Sequence, residues 1–417
     1  MTFPPLNPAL LHLDSDHLWL MHCADGPVPR SVVRRLRGLL HKELWPWELD
    51  WREEFLGLPQ ALREEAARLL GADSGDITLT PNTSAGLTTV AQGFPWRAGD
   101  EVLVPLGEFP SNVYPWKSLA ARSVEFRQAP LWDGQRAGAN AWDSAPPGPG
   151  DDPEARLLDA LGPRTRILAV SWVRFQDGLK LDLARLGSAC RQRGIHLVVD
   201  AIQGAGTMVP DLYGVSAFAT GGNKGLLAPQ GQGFLWTDPD FRRLLAPTGT
   251  WLSVEEDCGP GRLDTDHRPW VADGRKLEPG APSVMACAGL LEALRTLRQA
   301  GVDTIARHVR FLQAALLDQL AGSPAWDGEV RRLRGLLAQD RLGPTLCFHH
   351  GGRTPQDLAD LLEQGARRGV YASVREGYLR LAFHGWHEEG DLKRIVDWLK
   401  SRESHRAATM GDPSEPS

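Results

Sequence analysis

The chain predicts an α/β fold: a doubly wound, mostly parallel sheet with helices on both faces, followed by a smaller α+β domain. Three observations carry this. Short apolar strands alternate with helical stretches from residue 77 to residue 200. Two of those strands, Arg166 to Val173 and His196 to Asp200, are apolar and β-branched, as strands buried on both faces are. After about Ser283 the texture changes to long helices separated by a few short strands.

Taken in order, residues 1–45 hold an apolar segment from His17 to Met21, a turn at Asp25-Gly26-Pro27 and an amphipathic helix from about Ser31. Residues 59–71 read as a helix ended by Gly71. Ile77 to Thr80 is a strand, Ser84 to Gly93 a helix, and Glu101 to Pro105 a strand. Val113 to Ala121 is a helix, and Ser123 to Arg127 is a strand. Residues 133–152, rich in Gly, Ala, Pro and Asp, form an exposed loop before a helix at Pro153 to Leu161. Leu183 to Arg193 is the helix between the two buried strands. Helices from Met285 to Gln299 and Val302 to Leu320 open the second domain. Strands around Thr345 to His349 and Leu379 to Phe383 and a helix from about Glu388 to Arg402 complete it. The expected division is an N-terminal segment (1–20), a large domain (21–283), a small domain (284–403) and a disordered polar tail (404–417).

Composition narrows the function classes. The 417 residues are 42% hydrophobic and 24% charged, with a formal charge of −6, which argues against nucleic acid or an anionic membrane as the main partner. No apolar run approaches the roughly 20 residues that span a bilayer, and no secretory signal precedes Asp16. The five cysteines (Cys23, Cys190, Cys258, Cys287 and Cys347) are scattered and never form a C-x-x-C pair. That disfavours a disulfide framework or a zinc site and makes a reducing cytoplasm the expectation. Only seven lysines occur among 46 basic residues, so a lysine between glycines stands out.

The leading chemical signal is Leu197-Val198-Val199-Asp200-Ala201-Ile202-Gln203, followed by Gly221-Gly222-Asn223-Lys224-Gly225. Asp200 ends a buried strand, at the edge of an open sheet where ligands bind. A carboxylate there can keep a pyridinium nitrogen protonated, and a lysine can form a Schiff base where arginine cannot. Singly, Asp200 reads as a helix cap and Lys224 as a turn lysine. Together, with Gln203 one helical turn past Asp200, they read as a cofactor site. Thr80-Pro81-Asn82-Thr83-Ser84-Ala85-Gly86 joins a strand to a helix, which makes either an anion site or a simple N-cap by Thr83 or Ser84. Phe109, in Glu108-Phe109-Pro110-Ser111-Asn112, is a stacking ring or a core residue. Arg380, inside Tyr378 to Phe383, needs a partner: a substrate carboxylate or a structural salt bridge. Gly204-Ala205-Gly206 lacks the third glycine of a dinucleotide fingerprint, and His384, His387 and Glu388 make a weak metal pattern, so no metal is expected.

These four segments, in this order, resemble the class V aminotransferase family of fold-type I pyridoxal-5′-phosphate (PLP) enzymes. That family includes cysteine desulfurases, selenocysteine lyases, isopenicillin N epimerase-like proteins and kynureninases. The resemblance spans about residues 18–400, and its most specific parts are Asp200-Ala201-Ile202-Gln203 and the lysine loop with Pro229-Gln230-Gly231-Gln232-Gly233. It implies a large domain built on a mostly parallel seven-stranded sheet. It also implies PLP held on Lys224 as an internal aldimine, with Lys224 moving the α-proton. Asp200 would pair with the pyridine nitrogen and Gln203 with the phenolic oxygen. Thr83 and Ser84 would bind the phosphate, and Phe109 would stack on the ring. Arg380 would hold the substrate α-carboxylate. Gly280, within Glu278-Pro279-Gly280-Ala281-Pro282, would reach the partner subunit's phosphate in a homodimer.

Several positions depart from the pattern. The usual Ser-x-His-Lys is Gly221-Gly222-Asn223-Lys224, Ala281 replaces a common threonine, and Phe175 stands near a common asparagine. Residues 368–376 contain no cysteine, which disfavours a persulfide-forming desulfurase. The resulting expectation is transamination of a small amino acid. The alternatives are a C–S or C–C lyase of the kynureninase kind, an epimerase, a non-catalytic PLP-fold binding protein, or a nucleotide-dependent oxidoreductase.

Overall fold

The computed structural model describes residues 3–135, 142, 144–255 and 268–409, with side chains to residue 401. Of the tail expected as disordered over 404–417, residues 404–409 continue the last helix, while residues 410–417, like Cys258, lie outside the described residues. Seven strands form the main sheet: β2 (Ile77–Thr80), β3 (Glu101–Pro105), β4 (Glu125–Ala129), β5 (Thr165–Ser171), β6 (His196–Asp200), β7 (Val215–Gly221) and β8 (Gly233–Thr237). Their spatial order is β2-β8-β7-β6-β5-β3-β4. Only β8 runs against its neighbours, so the sheet is mostly parallel, as expected.

Strand residues alternate between two cores. Val102, Val104, Ile167, Ala169, Val198 and Ala217 pack on one face with Leu87 and Val90 of the Thr83–Gly93 helix. Leu103, Leu168, Val170, Val199 and Phe218 pack on the other. Burying both faces explains why these strands read as apolar runs.

A short strand β1 (Leu18–Trp19) pairs in parallel with β10 (Val370–Tyr371), tying the N-terminal segment to the C-terminal part. There, β11 (Ser373–Arg375), β12 (Tyr378–Ala382) and β9 (Thr345–His349) make an antiparallel sheet in that order. Helix Val284–Ala300 packs on helices Arg30–Leu44 and Leu58–Leu70, and the small sheet is accompanied by helices Val302–Leu320, Asp327–Ala338, Pro355–Arg367 and Glu389–Thr409. The last runs seven residues past the expected end at Arg402. The expected helix over 113–121 is one α turn (Tyr114–Lys117) continued as a 3-10 segment to Arg122. No helix among the described residues is long and apolar enough to cross a membrane.

Candidate active site

The chain crosses to the far side of β3 when it makes β5, and this switch opens a crevice at the carboxyl ends of the strands. Because β8 is the one reversed strand, β2 points the same way as the parallel set. Thr83 follows β2, Phe109 follows β3, Asp200 ends β6 and Lys224 follows β7. The fold therefore brings these four segments to a single edge. Ser171, Asp200 and Ala219 form one register row across that edge.

Lys224 is half-buried in the loop after Gly221, with Nζ 5.8 Å from the centre of the Phe109 ring. Burial lowers its pKa, and the nearby Asp200 carboxylate opposes that shift. Asp200 is 2% exposed, and burial raises its pKa to about 7. Its Oδ1 accepts the Ile202 amide at 3.1 Å, which leaves the other oxygen for a further donor. Phe109 is 41% exposed and meets Phe175 edge-on at 5.2 Å, so it is not a core residue.

Asn82, not Thr83 or Ser84, caps the helix that follows β2, accepting the Ala85 amide at 2.9 Å. That corrects the simple-cap reading. Thr83 is buried, Ser84 Oγ donates to Ser111 Oγ at 2.7 Å, and first-turn amides have no partner within the helix. A Cβ at Gly221 would stand 3.5 Å from Thr83 Oγ1, so the missing side chain there keeps this turn open.

Gln203 donates to the Cys23 carbonyl at 3.1 Å. Arg380 is 3% exposed; its Nε donates to Ser373 Oγ (3.1 Å) and Nη1 to the Phe175 carbonyl (2.7 Å). No carboxylate pairs with it among the described residues, so the salt-bridge reading fails there. Gly280 lies apart on a half-exposed loop. That loop is anchored by Glu278, whose Oε1 takes Arg63 Nη2 at 2.7 Å and the Leu79 amide at 3.1 Å. His384 and His387 each bond to backbone, and no cluster of metal-ligating side chains occurs among the described residues.

The roles of three residues escaped the sequence reading, which weighed His384 only as part of a weak metal pattern. Glu108 is buried, and its Oε1 takes the Ser171 amide at 2.9 Å. Its Oε2 takes the Ser171 hydroxyl and, at 3.2 Å, Asn112 Nδ2. It thereby pins the Phe109 loop to β5. Burial raises its pKa, which the nearby Arg174 opposes. Gly26 packs against the lysine loop: its amide donates to Asn223 O at 2.7 Å, and a Cβ there would fall 2.3 Å from Lys224 O. His384 holds the Gly225 carbonyl at 2.9 Å. The first sits inside a quoted segment and the second in a quoted turn, but their contacts are tertiary.

Three elements fit a flat, phosphorylated pyridine aldehyde. An amine stands over an aromatic face, a buried carboxylate has an oxygen to spare, and a helix N-terminus carries hydroxyls but no side chain at Gly221 to fill it. The fold is that of a fold-type I PLP enzyme. The family model "Aminotransferase class-V" matches residues 50–373, and the chain belongs to that family. A probable cysteine desulfurase of Methanothermobacter thermautotrophicus is 29% identical over 415 residues, covering 92% of this chain and 94% of that protein. Isopenicillin N epimerase of Streptomyces clavuligerus is 32% identical over 262 residues, covering 61% and 60%. Among solved structures, C-DES with glycine covalently linked to its PLP cofactor superposes with a TM-score of 0.78 at 20% identity, covering 94% of this chain and 98% of that one. The cysteine desulfurase CsdA of Escherichia coli gives 0.76 at 23%, covering 97% and 100%. These two likenesses speak for the fold.

Proposed function

We propose that the chain acts at the α-carbon of a small amino acid, with PLP held on Lys224. The observation that carries this is the meeting of Lys224, Asp200 and the exposed Phe109 ring at one sheet edge. PLP, when bound, supplies an electron sink for the bond broken at the α-carbon. The chain's residues do the rest. Lys224 is partly desolvated, which makes its amine available as a nucleophile and then as a base for the α-proton. Asp200 would supply negative charge for the ring nitrogen, and Gln203 would serve the phenolic oxygen. Thr83, Ser84 and the first-turn amides would hold the phosphate, and Gly280 would reach that of a second copy in a homodimer. Arg380, already oriented by Ser373 and Phe175, receives the α-carboxylate.

Transamination is the first reading, since it asks for no group beyond these. C–S elimination is the second, since relatives named cysteine desulfurases point to a sulfur-containing amino acid as substrate. Residues 284–403 act as the domain that brings Arg380 to the site, and the cytoplasm is the expected location. Incubation with single amino acids separates the readings. A 2-oxo acid with its nitrogen retained on the protein supports transamination. Pyruvate with free ammonia and sulfide from cysteine supports elimination. No change with any amino acid sinks both.

A further inference from the structure

The loop that carries Lys224 is gripped from several sides. Gly26 approaches from the N-terminal segment, its amide on Asn223 O at 2.7 Å. Asn223 Nδ2 reaches back to Asp25 Oδ1 at 2.6 Å. Gly206 and Ala205, from the loop after Asp200, press on Gly225 so closely that a Cβ at Gly206 would meet Gly225 O at 2.2 Å. The remaining grip comes from another part of the molecule. His384 lies two residues past the end of β12, and its Nε2 lies 2.9 Å from the Gly225 carbonyl.

The tautomer of His384 follows from its other contact. Nδ1 accepts the Gly385 amide at 2.7 Å, so in the neutral ring the proton sits on Nε2 and is donated to Gly225 O. The ring is fully buried, stacks on Trp386 at 4.5 Å and meets His22 edge-on at 5.2 Å. It has little room to turn. Four residues earlier, β12 carries Arg380, and the Ala382 amide between them bonds to Leu20 O at 2.9 Å.

We propose that His384 is a positioning residue for Lys224: through the Gly225 carbonyl it ties the lysine loop to the strand that carries Arg380, so that a carboxylate arriving at Arg380 is felt at the amine. This rests on the reading that Lys224 carries the cofactor. A hydrogen bond from a side chain can be separated from simple space-filling, because glutamine reproduces the Nε2 donor whereas phenylalanine reproduces only the bulk.

The test is amide hydrogen exchange over residues 222–228 of the cofactor-loaded protein, with kcat and KM measured alongside. His384→Phe should speed exchange in that loop about fivefold, the change one lost hydrogen bond brings, and lower kcat more than it raises KM. Strands β5 and β6 should be unaffected. His384→Gln should restore both readouts. If the Phe variant does not fold, His384→Asn, too short to reach Gly225 O, takes its place. Unchanged loop exchange in the Phe or Asn variant would overturn the inference, as would a Gln variant as loose as the Phe one. Absence of cofactor on wild-type Lys224 would instead overturn the functional reading.

Discussion

Lys224 Nζ lies 5.8 Å from the centre of the Phe109 ring, so the amine and the aromatic face look into the same space. Phe109 keeps 41% of its surface exposed, which an apolar ring does at some cost unless a ligand covers it. Phe109→Ala should therefore weaken PLP binding to the cofactor-free protein by about 2- to 10-fold, the range for one aromatic pair. Phe109→His should recover most of the loss. Spectroscopic titration measures both, and an Ala variant with wild-type affinity would show that the ring is not a stacking surface.

The raised pKa of Asp200 has a consequence for stability before cofactor binds. The carboxyl titrates at about 7 in the folded chain and at the ordinary 3.8 when unfolded. Between those values the folded state holds a proton that the unfolded state has released. Asp200 should thus contribute a loss of stability to the cofactor-free protein as pH rises from about 4 to about 7, by at most about 1.4 kcal/mol per pH unit, set against the opposite contribution of buried histidines such as His384, whose pKa burial lowers to about 3. Asp200→Asn should flatten that slope and abolish most turnover. Denaturant melts across this window check the sign. Parallel stability profiles of the wild type and Asp200→Asn through this window would contradict the assigned environment.

Gly26→Ala should act at a distance along the chain. Its Cβ would fall 2.3 Å from the Lys224 carbonyl, so the lysine loop or the N-terminal segment must shift. The variant should melt lower, by roughly 1–3 kcal/mol of stability, and retain less cofactor. Gly38→Ala is the control. It sits exposed in the Arg30–Leu44 helix with nothing near its Cβ, and should stabilise by up to about 1 kcal/mol. Equal melting of the two variants would refute the close approach.

Sulfur chemistry should leave no mark on the protein. The described cysteines are all free and buried. Burial pushes the Cys190 and Cys287 thiols up to about 12 and the Cys347 thiol well above its ordinary value. Residues 368–376 offer Tyr371 and Ser373 instead of a thiol. After incubation with cysteine, alkylation and mass spectrometry should find no persulfide on any of the five cysteines. One formed on Cys23, Cys347 or another at the rate of turnover would place the chain with the persulfide-forming desulfurases.

Much of the large sheet was legible because burial on both faces leaves an apolar run in the sequence, as in β6, whose bounds match the structure. The helix Val302–Leu320 was equally plain from its 3.6-residue period. Strands β7 and β8 were not assigned, because small residues and glycines dilute the apolar run in one and a tight loop crowds the other. The π-helical turn at Trp51–Gly57 has no sequence signature. The helix Pro355–Arg367 did have one, a capping box between Thr354 and Asp357 with proline at its first position, and it went unread. At the site, residues that follow strands could be found by position alone. Glu108, Gly26 and His384 could not, since each matters through an approach that only the folded chain creates.

The central claim is that Lys224 is the residue to which PLP is attached. Borohydride reduction of the purified protein, followed by peptide mapping, tests it most directly. The account predicts a reduced pyridoxyl group on the peptide containing Asn223-Lys224-Gly225 and on no other of the seven lysines. A pyridoxyl group on a different lysine, or protein that takes up no PLP, would contradict it.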